Sequence, residues 1–134
     1  MAYAAEVKVA AVEFNPAPKD VTGNIQGIVK AITEASNKGA KLMVLPEFSV
    51  TGFGYIPSGP GDFDTIPGRA TAAIEKVTRK YNNYAVVGMY ELDPVTGVIH
   101  NAAALVGPKG LVGKYRKNQI PSGDYEVAAP GNLG

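Results

Sequence analysis

The sequence predicts an α/β domain, a layered mixed β-sheet flanked by helices. Three observations predict it. Short β-branched runs in the first half alternate with stretches whose apolar residues recur at three-and-four spacing. Two later apolar runs are joined by a five-residue turn containing Pro94 and Gly97, the pattern of antiparallel neighbours. Finally, 134 residues with 46% hydrophobic and 19% charged side chains can fill one core but not two domains.

The first strand is expected at Val7 to Phe14, mostly buried, and is stopped by Asn15-Pro16-Ala17-Pro18, where proline removes ladder donors. Asp20 is the N-cap of a helix whose Ile25, Ile28, Val29 and Ile32 share one face and which Gly39 closes. Lys41 to Leu45 forms the second strand. Strand, helix and strand within about forty residues make a βαβ unit with parallel strands. Gly52 to Gly68 is a long Gly- and Pro-rich loop carrying Asp62 and Asp64, a length that implies it covers something. Ala70, Ala73, Ile74, Val77 and Tyr81 mark a second amphipathic helix ending near Asn82-Asn83. Strands at Ala85 to Leu92, Val98 to Val106 and Leu111 to Tyr115 follow, and beyond Lys117 the periodicity decays. Only two helices are available to cover this sheet, so one face or edge should remain open for a partner surface or a missing second half.

Composition excludes several function classes. Thirteen Lys and Arg against twelve Asp and Glu give a net charge of +1, without the basic footprint of a nucleic-acid or anionic-membrane binder. No apolar run approaches the ~20 residues of a membrane-spanning helix, and Glu6 and Lys8 interrupt the apolar start, which reads as cytoplasmic. With no Cys and a single His, the residues offer no thiolate or clustered-imidazole metal site, and neither a metal nor a cofactor is expected. Gly52-Phe53-Gly54 and Gly59-Pro60-Gly61 do not complete a dinucleotide fingerprint. His100 reads as a satisfied strand side chain rather than a ligand.

Two charged positions stand out. Glu47 follows Leu45-Pro46 at the carboxyl end of the second strand, where open α/β sheets bind ligands, and Pro46 restricts the backbone that aims it. By position alone, a solvated loop acid is the commoner explanation. In Gly113-Lys114-Tyr115-Arg116-Lys117, strand alternation puts Lys114 and Arg116 on one face and Tyr115 and Lys117 on the other. A lysine near a carboxylate can stabilise a developing oxyanion while the carboxylate acts as general base, although a basic strand end facing water is the ordinary case.

Taken together, Leu45-Pro46-Glu47-Phe48, Thr51-Gly52-Phe53-Gly54-Tyr55, Asn101, Gly113-Lys114-Tyr115-Arg116-Lys117 with Ile120-Pro121, and Pro130-Gly131-Asn132 resemble the nitrilase superfamily of carbon–nitrogen hydrolases. Phe14-Asn15-Pro16, Asn24 and Gly39-Ala40-Lys41-Leu42 extend the resemblance towards the amino terminus. It runs the full length of the chain but covers about the first half of a family member. The resemblance implies a four-layer αββα sandwich that commonly dimerises, a small amide or nitrile substrate, and a Glu-Lys-Cys triad acting without a cofactor. It assigns Glu47 as general base and Lys117 as stabiliser of the tetrahedral intermediate, with Lys114 the runner-up. It adds Glu126 as a candidate further acid and Tyr55 as a neighbour of the site. The nucleophilic Cys has no counterpart, because none of the seventeen residues after Lys117 is Cys. Residues 1–134 therefore read as a partial domain truncated before the nucleophile. The alternative is a non-catalytic half-module that pairs with another chain.

Overall fold

Five strands, β1 (Val9–Ala11), β2 (Leu42–Val44), β3 (Tyr84–Leu92), β4 (Ile99–Gly107) and β5 (Gly110–Arg116), lie side by side in chain order. They belong to a computed structural model that describes residues 6–54, 57–123 and 126–132. β1, β2 and β3 run parallel, and β3, β4 and β5 are antiparallel, the mixed sheet that the sequence predicts.

Helix α1 (Val21–Asn37) begins where Asp20 accepts a hydrogen bond from the Gly23 N–H at 2.9 Å, a cap worth about 1 kcal/mol. It ends at Lys38, followed by Gly39 in the left-handed region at φ 86°. Helix α2 (Arg69–Tyr81) is capped from outside its own sequence. The buried Asp64 carboxylate accepts from the Arg69 N–H at 3.2 Å and from the Ala70 N–H at 2.7 Å. The long loop thus supplies the helix start, and its Phe63 packs with Phe48, Tyr90 and Ala128 in a small second cluster.

Both helices pack on one face of the sheet. Ile28, Ile32, Ile74, Met43, Val87 and Met89 are fully buried between the layers. Among the described residues, the opposite face is covered only at the end where the second cluster sits. Val9, Tyr84, Val112 and Tyr115 are 55%, 44%, 59% and 54% exposed along the remainder, among the described residues. This open face explains why β1 alternates exposed, half-buried, exposed instead of being buried as its sequence suggests. Without a covering layer, only its helix-facing residue, Ala10, packs against the core. β1 is also shorter than the Val7 to Phe14 run, although the Val12 N–H still donates to the Val44 carbonyl at 2.9 Å.

Candidate active site

Glu47 sits just beyond β2, in a turn held by β3, by its own serine and by α1. The Val50 N–H donates to the Gly88 carbonyl at 3.1 Å, and the Ser49 hydroxyl donates to the Pro46 carbonyl at 2.5 Å. Asn24 of α1 donates through Nδ2 to the carbonyls of Ala17 and Val50, which ties the proline-rich loop to the same turn. Phe48 has a φ of 58°, a left-handed conformation costing about 1–2 kcal/mol in a residue with a Cβ. Burial holds it there, with its ring 4.4 Å from that of Tyr90. As its neighbour in the turn, Glu47 is carried clear of the core and its side chain remains half exposed.

Gly88 permits this crossing. A Cβ there would lie 2.9 Å from Glu47 Cα and the Pro46 carbonyl oxygen and 3.0 Å from the Phe48 nitrogen, all backbone atoms with no rotamer escape. Gly88→Ala is expected to destabilise the fold by about 1–3 kcal/mol, the usual cost of overpacking, and to push the Glu47 turn off the sheet. Urea denaturation checks the first expectation; loss of the Glu47–Lys117 contact checks the second.

The site comes together at Glu47 Oε1. Lys117 Nζ donates to it at 2.8 Å, and Asn101 Nδ2 donates to it at 2.6 Å from β4. Lys117 lies one residue past β5, and its N–H still donates to the Asn101 carbonyl at 2.8 Å. The Gly131 N–H donates to the Lys117 carbonyl at 2.8 Å from the other side. Burial raises the Glu47 pKa, but the hydrogen bonds from Lys117 and Asn101 and the lysine charge more than offset this, leaving it below its ordinary value of 4.5. A cavity of about 260 Å³ over Val86, Ala103 and Tyr115 adjoins the pair. Another of about 420 Å³, lined by Phe48, Phe53 and Pro121, also adjoins it.

Lys114 is elsewhere. The alternation along β5 turns it, with Arg116, to the helix face, where both meet the fully buried Glu91 of β3. Arg116 donates to Glu91 through Nε at 2.7 Å and through Nη2 at 2.9 Å, to Asp93 at 3.0 Å and to Asn132 at 2.9 Å; Lys114 Nζ also donates to Glu91. Glu126 lines a separate cavity with Phe63, Leu92, Ile99 and Val127. Tyr55 lies outside the described residues. His100 is buried on β4 with Nδ1 3.2 Å from the Ala129 carbonyl. Asn101, which the sequence offers only as part of a motif, proves to be a direct partner of the acid.

Glu91 is also more acidic than usual: burial raises its pKa, and the hydrogen bonds and charges of Arg116 and Lys114 outweigh that. Asp93 falls from 3.8 to about 2, chiefly through the backbone N–H of Val95 and with help from Thr96 and Arg116. Each of these groups binds its proton less readily folded than unfolded. The stability they contribute is complete above their unfolded values and lost as pH falls through the folded ones. Midpoints of urea denaturation are therefore expected to hold near neutrality and to drop between about pH 4.5 and pH 2. A flat profile across that window would contradict the assignment.

A nitrilase from Pyrococcus abyssi is 38% identical over an alignment of 132 positions that covers 96% of this chain and 49% of that protein. An omega-amidase from Xenopus laevis is 29% identical, over 96% of this chain and 45% of its own length. The chain thus spans about half the length of the curated relatives it matches. Among solved structures, an amidase from Nesterenkonia sp. superposes with a TM-score of 0.73 at 22% identity, covering 95% of this chain and 49% of that one. The glutamine-dependent NAD+ synthetase of Acinetobacter baumannii does so with a TM-score of 0.77 at 22% identity, covering 95% and 24%. Both share the fold. The family model described as carbon-nitrogen hydrolase matches residues 8–133, and the chain belongs to that family.

Proposed function

We propose that this chain is the acid- and lysine-bearing part of an enzyme that hydrolyses a non-peptide carbon–nitrogen bond in a small amide or nitrile. One observation carries the reading: Lys117 and Glu47, seventy residues apart in sequence, meet at 2.8 Å beside two cavities. The chemistry needs such a pair. A thiol must lose its proton to attack the amide carbon, and the tetrahedral intermediate needs a fixed positive charge.

Glu47 accepts the thiol proton as the C–S bond forms and the C=O electron pair moves onto oxygen. Protonation neutralises Glu47 and weakens its hold on Lys117, so the ammonium becomes available to the new oxyanion. Collapse expels ammonia, which takes the proton from Glu47, and leaves a thioester. Water, deprotonated by the same carboxylate, then releases the acid and regenerates the thiol. The 134 residues contain no Cys, so the sulfur comes from outside them. The test is a chimera that continues residues 1–134 with a cysteine-bearing second half of a carbon–nitrogen hydrolase. Ammonia release from simple amides or nitriles is expected, and a folded chimera without it would overturn the reading.

A second reading, a non-catalytic module that pairs with another chain, is favoured by the open sheet face around Val9, Tyr84, Val112 and Tyr115. Exposed apolar side chains on one sheet face are what a docking surface offers. In a catalytic protein the same face would receive the second sheet of an αββα sandwich. Light scattering separates the two, since a monodisperse monomer of the isolated chain counts against self-pairing. No described helix is long and apolar enough to cross a membrane.

A further inference from the structure

The two hydrogen bonds that reach the Glu47 carboxylate from described residues end on the same oxygen, Oε1. One comes from Lys117 Nζ and the other from Asn101 Nδ2. Asn101 also accepts the Lys117 N–H at its main-chain carbonyl. A single buried residue near the start of β4 therefore holds the backbone of the lysine and the head group of the acid. We propose that Asn101 is a positioning residue: it joins Glu47 and Lys117 into one unit and occupies Oε1, so that Oε2 is the oxygen presented to the proton being transferred. This deepens the reading of Glu47 as the base and rests on it.

The local chemistry fits this role. A carboxylate only accepts, so the Asn101 amide must turn its nitrogen towards Glu47, which fixes the side-chain orientation. The residue opposite Asn101 on β3 is Tyr90, whose ring packs on Phe48, the neighbour of Glu47. Asn101 is thus held by the element that also holds the turn. Among the described residues, Lys117 is the charged group paired with Glu47; Lys114, Arg116 and Glu91 are paired on the other face of the sheet. An oxygen with two donors is a poor proton acceptor, and the oxygen left without them is the basic one.

Carbon-detected NMR titration of the Glu47 carboxyl in this chain tests the proposal, using Asn101→Leu and Asn101→Ser. Leucine removes the donor and leaves the main-chain carbonyl. Serine is too short to reach the carboxylate and is the less disruptive change should leucine fail to fold. In either folded variant, the Glu47 midpoint is expected to move up from its wild-type position, while the Lys117 amide stays protected from hydrogen exchange. An unchanged midpoint in a folded variant would overturn the proposal, as would loss of Lys117 amide protection, which would mean a purely structural role. The titration needs no sulfur nucleophile, so it can fail or succeed independently of any assay of hydrolysis. In the cysteine-completed enzyme, the same substitutions should lower kcat roughly ten- to a hundred-fold with little change in KM, since a hydrogen bond to a charged group is involved.

Discussion

Replacing Glu91 with Ala is expected to destabilise the chain by about 3–5 kcal/mol, because it strands a buried guanidinium. Glu91 is fully buried, and the Arg116 side chain that it binds through both oxygens is 4% exposed. A lone cation in that setting has lost its hydration and its main counter-charge together. Lys114 is a quarter exposed and can swing its ammonium to water, so it adds little to the loss. Asp93 and Asn132 remain within 3.0 Å and 2.9 Å of Arg116 and keep the cost below that of a wholly unpaired charge. Against a domain stability of about 5–15 kcal/mol, the change should be obvious in urea denaturation at pH 7. Removing both charges, as Glu91→Leu with Arg116→Leu, should cost clearly less than the sum of the single changes, since neither charge is then left alone. A single substitution costing under about 1 kcal/mol would mean that water reaches Arg116 and that the cluster is not the buried anchor the geometry describes.

This cluster marks the boundary of what the sequence makes legible. The alternation along Gly113 to Lys117 correctly separates Lys114 and Arg116 from Lys117, because side-chain direction in a strand is a local property. What faces Lys114 and Arg116 depends on register across two further strand pairs: Arg116 opposes Ala102 on β4, while Glu91 of β3 opposes His100. No local pattern encodes that pairing, so Glu91 passes as one more polar residue at a strand end. Asn101 is hidden for the same reason. Helix α1, by contrast, carries its own signals, an Asp20 cap and a Gly39 stop, and its ends fall within a residue or two of expectation. The open sheet face was also foreseeable, since it follows from counting two helices against one sheet. The Gly52 to Gly68 loop gives away its length but not its role, because Asp64 caps a helix five residues further on and Phe63 fills a cluster built from three other segments.

Glu47→Gln separates chemistry from folding where Glu91→Ala does not. The amide is nearly isosteric, and its carbonyl oxygen can still accept from Lys117 and Asn101, so the turn and the sheet have no reason to move. The ion pair that it removes is half exposed on the acid side and a third exposed on the lysine side, and such pairs contribute about 0–1 kcal/mol. Its midpoint in urea should stay close to wild type. Turnover in a cysteine-completed chimera should fall by roughly 10²–10⁴, the usual contribution of a positioned general base, because glutamine cannot take the proton from an attacking thiol. The remaining rate should lose the low-pH limb that the Glu47 carboxyl imposes, since protonating that group no longer inactivates anything. Ammonia release measured against pH reads both effects at once. If the variant kept its full rate with an unchanged pH profile, some other base would be taking the proton, and the 2.8 Å contact with Lys117 would be no more than a surface ion pair.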